Sequence, residues 1–221
     1  MSAPMGGPTA WAPQRPGSRA AAPKGRRIGL LGGSFNPAHR GHLHVSLEAL
    51  KRLDLDEVWW LVAPQNPLKP TKGMMPFEER LAAARAFIRH PRIKVTAIEA
   101  ALRTRYTADT LAALRQRFPN TRFVWLMGAD NLAQIRHWER WESIFRLVPV
   151  AVFDRPTYVS RALAELAAKR FERHRLPAGS ARHLADRAPP AWVFFPIRLD
   201  GSSATALRAR RRRTAAIKTT R

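Results

Sequence analysis

Two histidines, His39 and His42, follow a pair of glycines, Gly32 and Gly33, in the run GGSFNPAHRGH (residues 32–42). The glycines let the backbone turn tightly and approach a ligand, and a helix that begins here offers unpaired N–H groups to an anion. Because His39 and His42 are three residues apart, both imidazoles can reach the same side of that anion site. This arrangement suits phosphoryl or nucleotidyl transfer, which needs hydrogen-bond donors and positive charge on phosphate oxygens more than a protein nucleophile.

The same histidines allow two other interpretations. In the first, His39 caps a turn and His42 is a polar residue at the start of a helix. In the second, His39, His42 and His44 bind zinc, although only Glu48 offers a nearby fourth ligand and the chain has no cysteine.

A second candidate anion site lies near the other end of the chain, in the run DGSSATALR (residues 200–208). Its glycine favours a turn, Ser203 stands at a natural N-cap position, and Arg208 follows five residues later. Hydroxyl, N–H and guanidinium groups together can hold phosphate oxygens. An ordinary capped helix with a solvated arginine explains the same residues.

Short apolar runs and amphipathic stretches alternate from residue 26 onward and must position these motifs. The segment 174–190 mixes basic residues, Gly and Pro without a clear period and predicts an irregular connection. Alternating strands and helices predict an α/β fold with a doubly wound parallel sheet, whose ligands bind at the carboxyl ends of the strands. The apolar runs predict strands at 26–32, 57–64, 92–98, 122–127, 149–154 and 191–197, and the stretches between them predict helices at 42–53, 77–88, 108–118, 132–147 and 160–171.

The composition of the 221 residues, 45% hydrophobic and 25% charged, is that of an ordinary globular protein. The absence of cysteine excludes disulfides, thiolate zinc sites and cysteine nucleophiles. No apolar run approaches the roughly 20 residues that span a bilayer, so we expect no membrane partner and a cytoplasmic location.

Three regions are predicted along the chain. Residues 1–24 are rich in Pro, Ala, Gly and Ser and predict a disordered tail, 25–209 form one Rossmann-like domain, and 210–221 form a basic tail. The prolines of the first region disfavour the amphipathic helix of an organellar transit peptide. Much of the net charge of +23 lies at the two ends of the chain.

The run 32–42 matches the signature G-G-[ST]-F-[DN]-P-x-H-x-G-H and so resembles nucleotidyltransferases that carry an H-x-G-H motif, above all the bacterial nicotinate-nucleotide adenylyltransferases. The stretch that ends at Arg208 is similar to the S-S-T-x-[IL]-R signature of the same family, although Ala204 stands where the family has a hydroxyl residue. The resemblance implies that His39, His42 and Arg208 are catalytic. It also implies an ATP site formed by Gly32, Gly33, Ser34, Phe35, His39, His42, Gly128, Asp130, Ser203 and Arg208.

Segments in the middle of the chain resemble the parts of this family that bind the acceptor. They are the P-x-x-P-x-K loop at 64–69, the Y-T-x-D-T-L segment at 106–111, the G-x-D-x-L turn at 128–132, and an R-P turn at 155–156. By resemblance, the mononucleotide contacts Asn36, Lys69, Tyr106, Thr107, Asp109 and Trp138. Plainer interpretations remain: a solvated Lys69, a helix capped by Thr107, and a core tryptophan, for which Trp141 is the better candidate.

The resemblance implies adenylyl transfer from ATP to nicotinate mononucleotide in NAD biosynthesis, with release of pyrophosphate. Mg²⁺ is expected as a cofactor bound with ATP, and no protein ligands for a metal are assigned. Transfer to nicotinamide mononucleotide or phosphopantetheine is the nearest alternative. The basic tails leave a nucleic-acid-binding module as an alternative of another class, with nucleic acid not expected as a partner, and self-association into a homo-oligomer is left open.

Overall fold

One parallel sheet with helices on both faces organises this computed structural model, which describes residues 25–65, 73–153 and 166–197. Seven strands pair in the order β3-β2-β1-β4-β5-β7-β6, and each of the six pairings is parallel. The predicted doubly wound α/β fold is therefore confirmed. The predicted tails, residues 1–24 and 210–221, lie outside the described ranges.

The strands are β1 (Arg27–Gly33), β2 (Glu57–Val62), β3 (Ile93–Thr96), β4 (Arg122–Gly128), β5 (Val150–Phe153), β6 (Arg175–Leu176) and β7 (Trp192–Phe195). The α-helices are α1 (Arg40–Arg52), α2 (Phe77–Phe87), α3 (Ile98–Ala101), α4 (Thr107–Arg117), α5 (Ala129–Gln134), α6 (Trp141–Leu147) and α7 (Leu166–Arg170). Short 3₁₀ helices cover Ile135–His137, Glu172–His174 and Ala178–Asp186.

Two apolar layers cover the two faces of the sheet. The strands β1, β2, β4, β5 and β7 are largely buried on both sides, as a parallel sheet requires. Helices α1 and α2 and the 3₁₀ helix Ala178–Asp186 pack on one face. Helices α4, α5, α6 and α7 pack on the other. Within the described residues, no helix is long and apolar enough to cross a membrane.

The predicted helix 132–147 is wrong, because the chain breaks into α5, a 3₁₀ turn and α6. Arg140 adopts a left-handed conformation (φ 49°) directly before α6. The reason lies in the spacing, since three-residue steps fall about 60° short of a full α-helical turn and so do not keep one face. They do suit a 3₁₀ helix, in which residues three apart are eclipsed. The apolar residues that show this spacing are Leu132, Ile135, Trp138, Trp141 and Ile144.

The prediction of an irregular segment at 174–190 is also wrong in part. Strand β6 adds an edge to the sheet beside β7, and the 3₁₀ helix Ala178–Asp186 follows it. This helix buries Ala181 and Leu184, which are again three residues apart. A period of three, which belongs to neither a strand nor an α-helix, hid this element from the sequence pattern.

An ion network ties the same 3₁₀ helix to the amino ends of the central strands. Asp186 pairs with Arg27 at 3.0 Å and also with Arg122. Arg27 pairs in addition with Asp54, which lies in the connection between α1 and β2. The network closes the end of the sheet opposite the predicted ligand site.

Candidate functional site

The topology brings the two glycine-containing turns together. The chain runs from β1 outward through β2 and β3, then returns to place β4 on the other side of β1. The carboxyl ends of β1 and β4 therefore flank the point where the strand order reverses, which is where ligands bind in open α/β sheets. Gly33 ends β1 and Gly128 ends β4, so the runs 32–42 and 128–132 leave the sheet side by side.

Two glycines at this point make room for neighbouring side chains. A Cβ atom at Gly32 would lie 2.5 Å from the indole of Trp125, and one at Gly128 would lie 2.4 Å from Oδ1 of Asp130. The first contact is with a ring that is 2% exposed and fixed in the core. The second is with the end of a short side chain in the first turn of α5. Gly128 thus leaves room for the Asp130 carboxylate at the mouth of the site.

The turn after β1 combines unusual backbone geometry with hydrogen-bond donors. Phe35 has φ 46°, in the left-handed region that few residues other than glycine adopt. In the described part of the chain, no backbone carbonyl accepts a hydrogen bond from the Phe35 amide. Ser34 is 7% exposed, and its Oγ has no partner there either. These groups are suited to hydrogen-bond an anion.

The Phe35 side chain points into the core, so only its backbone can meet the predicted ATP phosphates. It is 1% exposed and stacks on Trp60 with ring centroids 4.8 Å apart. It also contacts the His42 ring at a centroid distance of 4.7 Å. The Phe35 ring therefore packs between Trp60 of β2 and the His42 ring.

His39 and His42 meet as the spacing predicts. Their ring centroids are 3.8 Å apart, His39 is the N-cap residue of α1, and His39 is 4% exposed. The backbone N–H of His39 donates to Nδ1 of His42 at 3.2 Å. Since Nδ1 accepts this bond, the proton of a neutral His42 ring lies on Nε2, which makes that nitrogen a hydrogen-bond donor.

The capping interpretation of His39 is therefore correct without excluding a role in binding. The zinc interpretation does not hold for the described residues, among which no group of three His, Cys, Asp or Glu could hold a metal ion. The donors collected here, amide N–H groups and an imidazole at a helix N-terminus, suit an anion rather than a cation.

A buried hydrogen-bond chain supports His42 from behind. Nε1 of Trp60 donates to Oγ of Ser46 at 2.8 Å, and this hydroxyl donates to the His42 carbonyl at 2.8 Å. Both Trp60 and Ser46 are 0% exposed. The position of His42 thus depends on strand β2 as well as on its own helix.

Asn36 and Arg80 connect the phosphate turn to its neighbours. Oδ1 of Asn36 accepts from the Met75 amide at 3.3 Å. Arg80 on α2 is 1% exposed and donates to the Ser34 carbonyl at 2.6 Å. Sequence reasoning missed Arg80, although its spacing from Phe77 and Ala84 marked it as a charge on the buried face of α2.

The segment that resembles Y-T-x-D-T-L opens helix α4, with one correction. Tyr106 is the N-cap residue, and Thr107 is the first helical residue rather than the cap. The carboxylate of Asp109 forms an ion pair with Arg140, the left-handed residue before α6. This pair links α4 to α6 on the face of the sheet that also carries α5.

The two tryptophans occupy different surroundings. Trp138 is partly buried and lies edge-on to Trp125 with centroids 6.5 Å apart, and Trp125 is the ring that covers Gly32. Trp141 packs edge-on against Phe145 and Phe171, as expected for a core side chain. Trp138 is therefore the tryptophan connected to the phosphate turn.

Four of the predicted features lie outside the described residues: Lys69, the R-P turn at 155–156, Ser203 and Arg208. Their roles stay predictions. The described residues bring together Gly32, Gly33, Ser34, the Phe35 backbone, Asn36, His39 and His42 on one turn, with Gly128 and Asp130 on the adjoining one.

Comparison with known proteins gives a consistent result for most of the chain. The model of the cytidylyltransferase-like family matches residues 30–210. One Cereibacter sphaeroides protein, named "Probable nicotinate-nucleotide adenylyltransferase", is 56% identical over 182 residues, which are 82% of this chain and 96% of that protein. A Bradyrhizobium protein of the same name is 54% identical over 182 residues, covering 82% and 95%.

Solved structures share the fold at low identity. The Plasmodium falciparum nicotinic acid mononucleotide adenylyltransferase complexed with NaAD aligns with a TM-score of 0.64 at 17% identity and covers 83% of each chain. The same enzyme complexed with APC aligns with a TM-score of 0.62 at 16% identity. At these identities the likeness supports the architecture alone.

Proposed function

Because the chain belongs to the cytidylyltransferase-like family, and within it to the nicotinate-nucleotide adenylyltransferases, we propose that it transfers the adenylyl group of ATP to nicotinate mononucleotide. The products are nicotinate adenine dinucleotide, which is a precursor of NAD, and pyrophosphate. A cytoplasmic location stays a prediction from the sequence.

One observation carries this proposal beyond family membership. The His39 and His42 rings lie in contact at the N-terminus of α1, at the point of strand reversal. Beside them is the Phe35 amide, which donates to no backbone carbonyl of the described residues. The hydrogen bond from the His39 amide keeps the His42 proton on Nε2. A preorganised donor at a helix N-terminus stabilises charge that develops on phosphate oxygens.

The reaction needs positioning and charge stabilisation rather than a covalent enzyme intermediate. A phosphate oxygen of the mononucleotide attacks the α-phosphorus of ATP in line, and pyrophosphate leaves with the bonding electron pair. The turn 32–42 holds the ATP phosphates through backbone N–H groups and the two imidazoles. Lys69, Ser203 and Arg208 are proposed to close the site from the other side.

The acceptor is proposed to bind where α4 and α5 begin. The N-terminus of α4, which carries Tyr106 and Thr107, offers N–H groups to the nicotinate carboxylate. Trp138 is proposed to stack on the pyridine ring, and its contact with Trp125 would hold it in place. Asp130, which lies over Gly128, is proposed to hydrogen-bond the ribose of ATP.

Mg²⁺ is proposed to arrive with ATP. Among the described residues, no group of three acidic or imidazole side chains forms a cage for a cation, so the ATP phosphates and water would supply its ligands. The bound ion would neutralise phosphate charge while the protein's own donors orient the oxygens.

The direct test measures pyrophosphate release from ATP and Mg²⁺ with three acceptors: nicotinate mononucleotide, nicotinamide mononucleotide and phosphopantetheine. We expect release mainly with nicotinate mononucleotide and a fall in kcat of about 10²–10³ in His42→Ala. His183→Ala serves as the control, because His183 lies beside Asp186 at the opposite end of the sheet. Pyrophosphate release mainly with another acceptor would identify that acceptor as the substrate instead. No pyrophosphate release with any of the three would overturn the enzymatic assignment.

A further inference from the structure

Arg80 is the most deeply buried charged side chain in the described structure that the proposed reaction does not use. It is 1% exposed and donates four hydrogen bonds, all of them to backbone carbonyls. Its Nη1 reaches Ser34 at 2.6 Å and Ala63 at 2.8 Å, its Nη2 reaches Pro64 at 2.7 Å, and its Nε reaches Met75 at 3.0 Å. One guanidinium thus joins three stretches of chain.

The first bond fixes the peptide that faces the phosphates. The Ser34 carbonyl and the Phe35 amide belong to the same planar peptide group, so holding one sets the direction of the other. That amide donates to no backbone carbonyl in the described part, and the buried Oγ of Ser34 has no partner there. Arg80 therefore orients the Phe35 amide, a donor that has no backbone acceptor among the described residues.

The remaining bonds fix the edge of the site on the side of β2. Ala63 and Pro64 follow β2 directly, and Met75 precedes α2. The Met75 amide also donates to Oδ1 of Asn36 at 3.3 Å, so the turn after β1 and the entry to α2 are bonded together twice. A displacement of Arg80 would loosen both edges at once.

No acid of the described residues neutralises the charge of Arg80. In the described ranges, no carboxylate forms an ion pair with it, and its surroundings are carbonyl dipoles and the ring of Phe77, 5.6 Å away. Burial lowers the pKa of Arg80, but a guanidinium remains charged in proteins. An uncompensated buried cation is costly unless an anion approaches it.

We propose that Arg80 is a positioning residue for the polyphosphate of the nucleotide: it orients the Ser34–Phe35 peptide, and its unneutralised charge adds to the attraction of this site for anions. The proposal rests on the proposed function, because it assumes that the turn 32–42 binds ATP. Arg80 acts through the backbone and does not need to touch the substrate.

The test compares three variants by isothermal titration with ATP and by steady-state kinetics. Arg80→Met removes the charge and the four bonds, while Arg80→Lys keeps a charge but cannot span all four carbonyls. Arg85→Met is the matched control, since Arg85 is an exposed arginine on the same helix. The Tm of each variant is measured by thermal unfolding, and binding is then compared at a temperature at which all the variants are folded.

We expect folded Arg80→Met to bind ATP about tenfold more weakly, equivalent to about 1.4 kcal/mol. Its log Kd should also depend less steeply on log salt, because one charge near the phosphates is lost. Arg80→Lys should recover the salt dependence but only part of the affinity, and Arg85→Met should match the wild type. A residue with a purely architectural role would lower the Tm without changing the salt dependence.

The proposal is overturned if folded Arg80→Met binds ATP within twofold of the wild type with the same salt dependence. If Arg80→Met does not fold, an unchanged ATP affinity in Arg80→Lys overturns the orienting role. The outcome is separate from that of the proposed function: a wild type that binds ATP but turns over none of the acceptors refutes the reaction while still testing Arg80. A wild type that binds no ATP refutes both.

Discussion

Replacing Ser46 by alanine tests the buried hydrogen-bond chain that runs from Trp60 through Ser46 to His42. The Ser46 hydroxyl accepts a hydrogen bond from Nε1 of Trp60 and donates one to the His42 carbonyl, both at 2.8 Å. Because Ser46 and Trp60 are 0% exposed, water cannot replace the missing hydroxyl. Ser46→Ala therefore leaves the indole N–H of Trp60 buried without an acceptor.

The size of the effect follows from which partner is left unsatisfied. A buried donor without an acceptor costs about 1–3 kcal/mol. The His42 carbonyl loses little, since it lies within α1 and can still accept the backbone bond of its own helix. We thus expect Ser46→Ala to lower the free energy of unfolding by about 1–3 kcal/mol, mainly through Trp60.

A double-mutant cycle with Trp60→Phe isolates this term. Trp60→Phe removes the donor but leaves Ser46 bonded to His42, and phenylalanine can still stack on Phe35. In the double variant neither partner of the lost hydrogen bond remains, which is far less costly than removing one. The double variant should therefore be more stable than the sum of the single effects predicts, by about 1–3 kcal/mol.

The assay is equilibrium unfolding by denaturant. The unfolding free energies of the four proteins are compared after checking that their m-values agree. Independent sites add to within about 0.3–0.5 kcal/mol. A coupling energy inside that range would refute the reasoning, because it would show that the indole N–H of Trp60 has another partner or reaches water when Ser46 is lost.

Three further changes give distinct results. Burial raises the pKa of Glu99 from 4.5 to about 7, so ionisation of this carboxyl destabilises the fold as the pH rises through that range. The variant Glu99→Gln should therefore gain up to about 3 kcal/mol in unfolding free energy at pH 8 but almost nothing at pH 4, and equal gains at both pH values would contradict this. Gly128→Ala should displace the Asp130 carboxylate and raise the KM for ATP with little change in Tm, whereas a large fall in Tm with normal kinetics would show that the backbone had moved instead. Burial of Asp186 favours its neutral form, but hydrogen bonds and charge from its two arginines outweigh this effect and lower its pKa below 3.8. Asp186→Asn should therefore lower the Tm at pH 7, and the difference in Tm from the wild type should shrink as the pH falls through the pKa of Asp186. A difference that stays constant would refute the ionic contribution.

Much of the fold could be predicted because it rests on local patterns. Apolar runs such as 57–64 and 122–127 became buried central strands, since a parallel sheet covered on both faces needs continuous apolar residues. The alternation of these runs with amphipathic stretches such as 42–53 then limited the topology to a doubly wound sheet. The meeting of His39 with His42 was predictable for the same reason, since it depends on helical spacing within one turn.

The prediction failed where the spacing matched no regular period or where a residue's role depends on a distant partner. The three-residue spacing from Leu132 to Ile144 was interpreted as one α-helix, but the chain breaks at Arg140. Thr107 was expected as a cap, but α4 begins one residue earlier than that role requires, with Tyr106 at the N-cap. Phe35 fitted the phosphate signature, yet its ring fills the core because Trp60 of β2 lies beneath it.

Residue types and spacings within the eleven positions 32–42 are enough to predict which groups can face an anion together, because these groups lie in one local turn. The contacts that hold this turn come from other elements and are visible only in the folded chain. Arg80 bonds to Ser34, 46 positions away, and to Ala63, 17 positions away, while Trp60 supports His42 through Ser46. Such contacts arise when the sheet brings distant segments together, and their buried hydrogen bonds are satisfied only in that one arrangement.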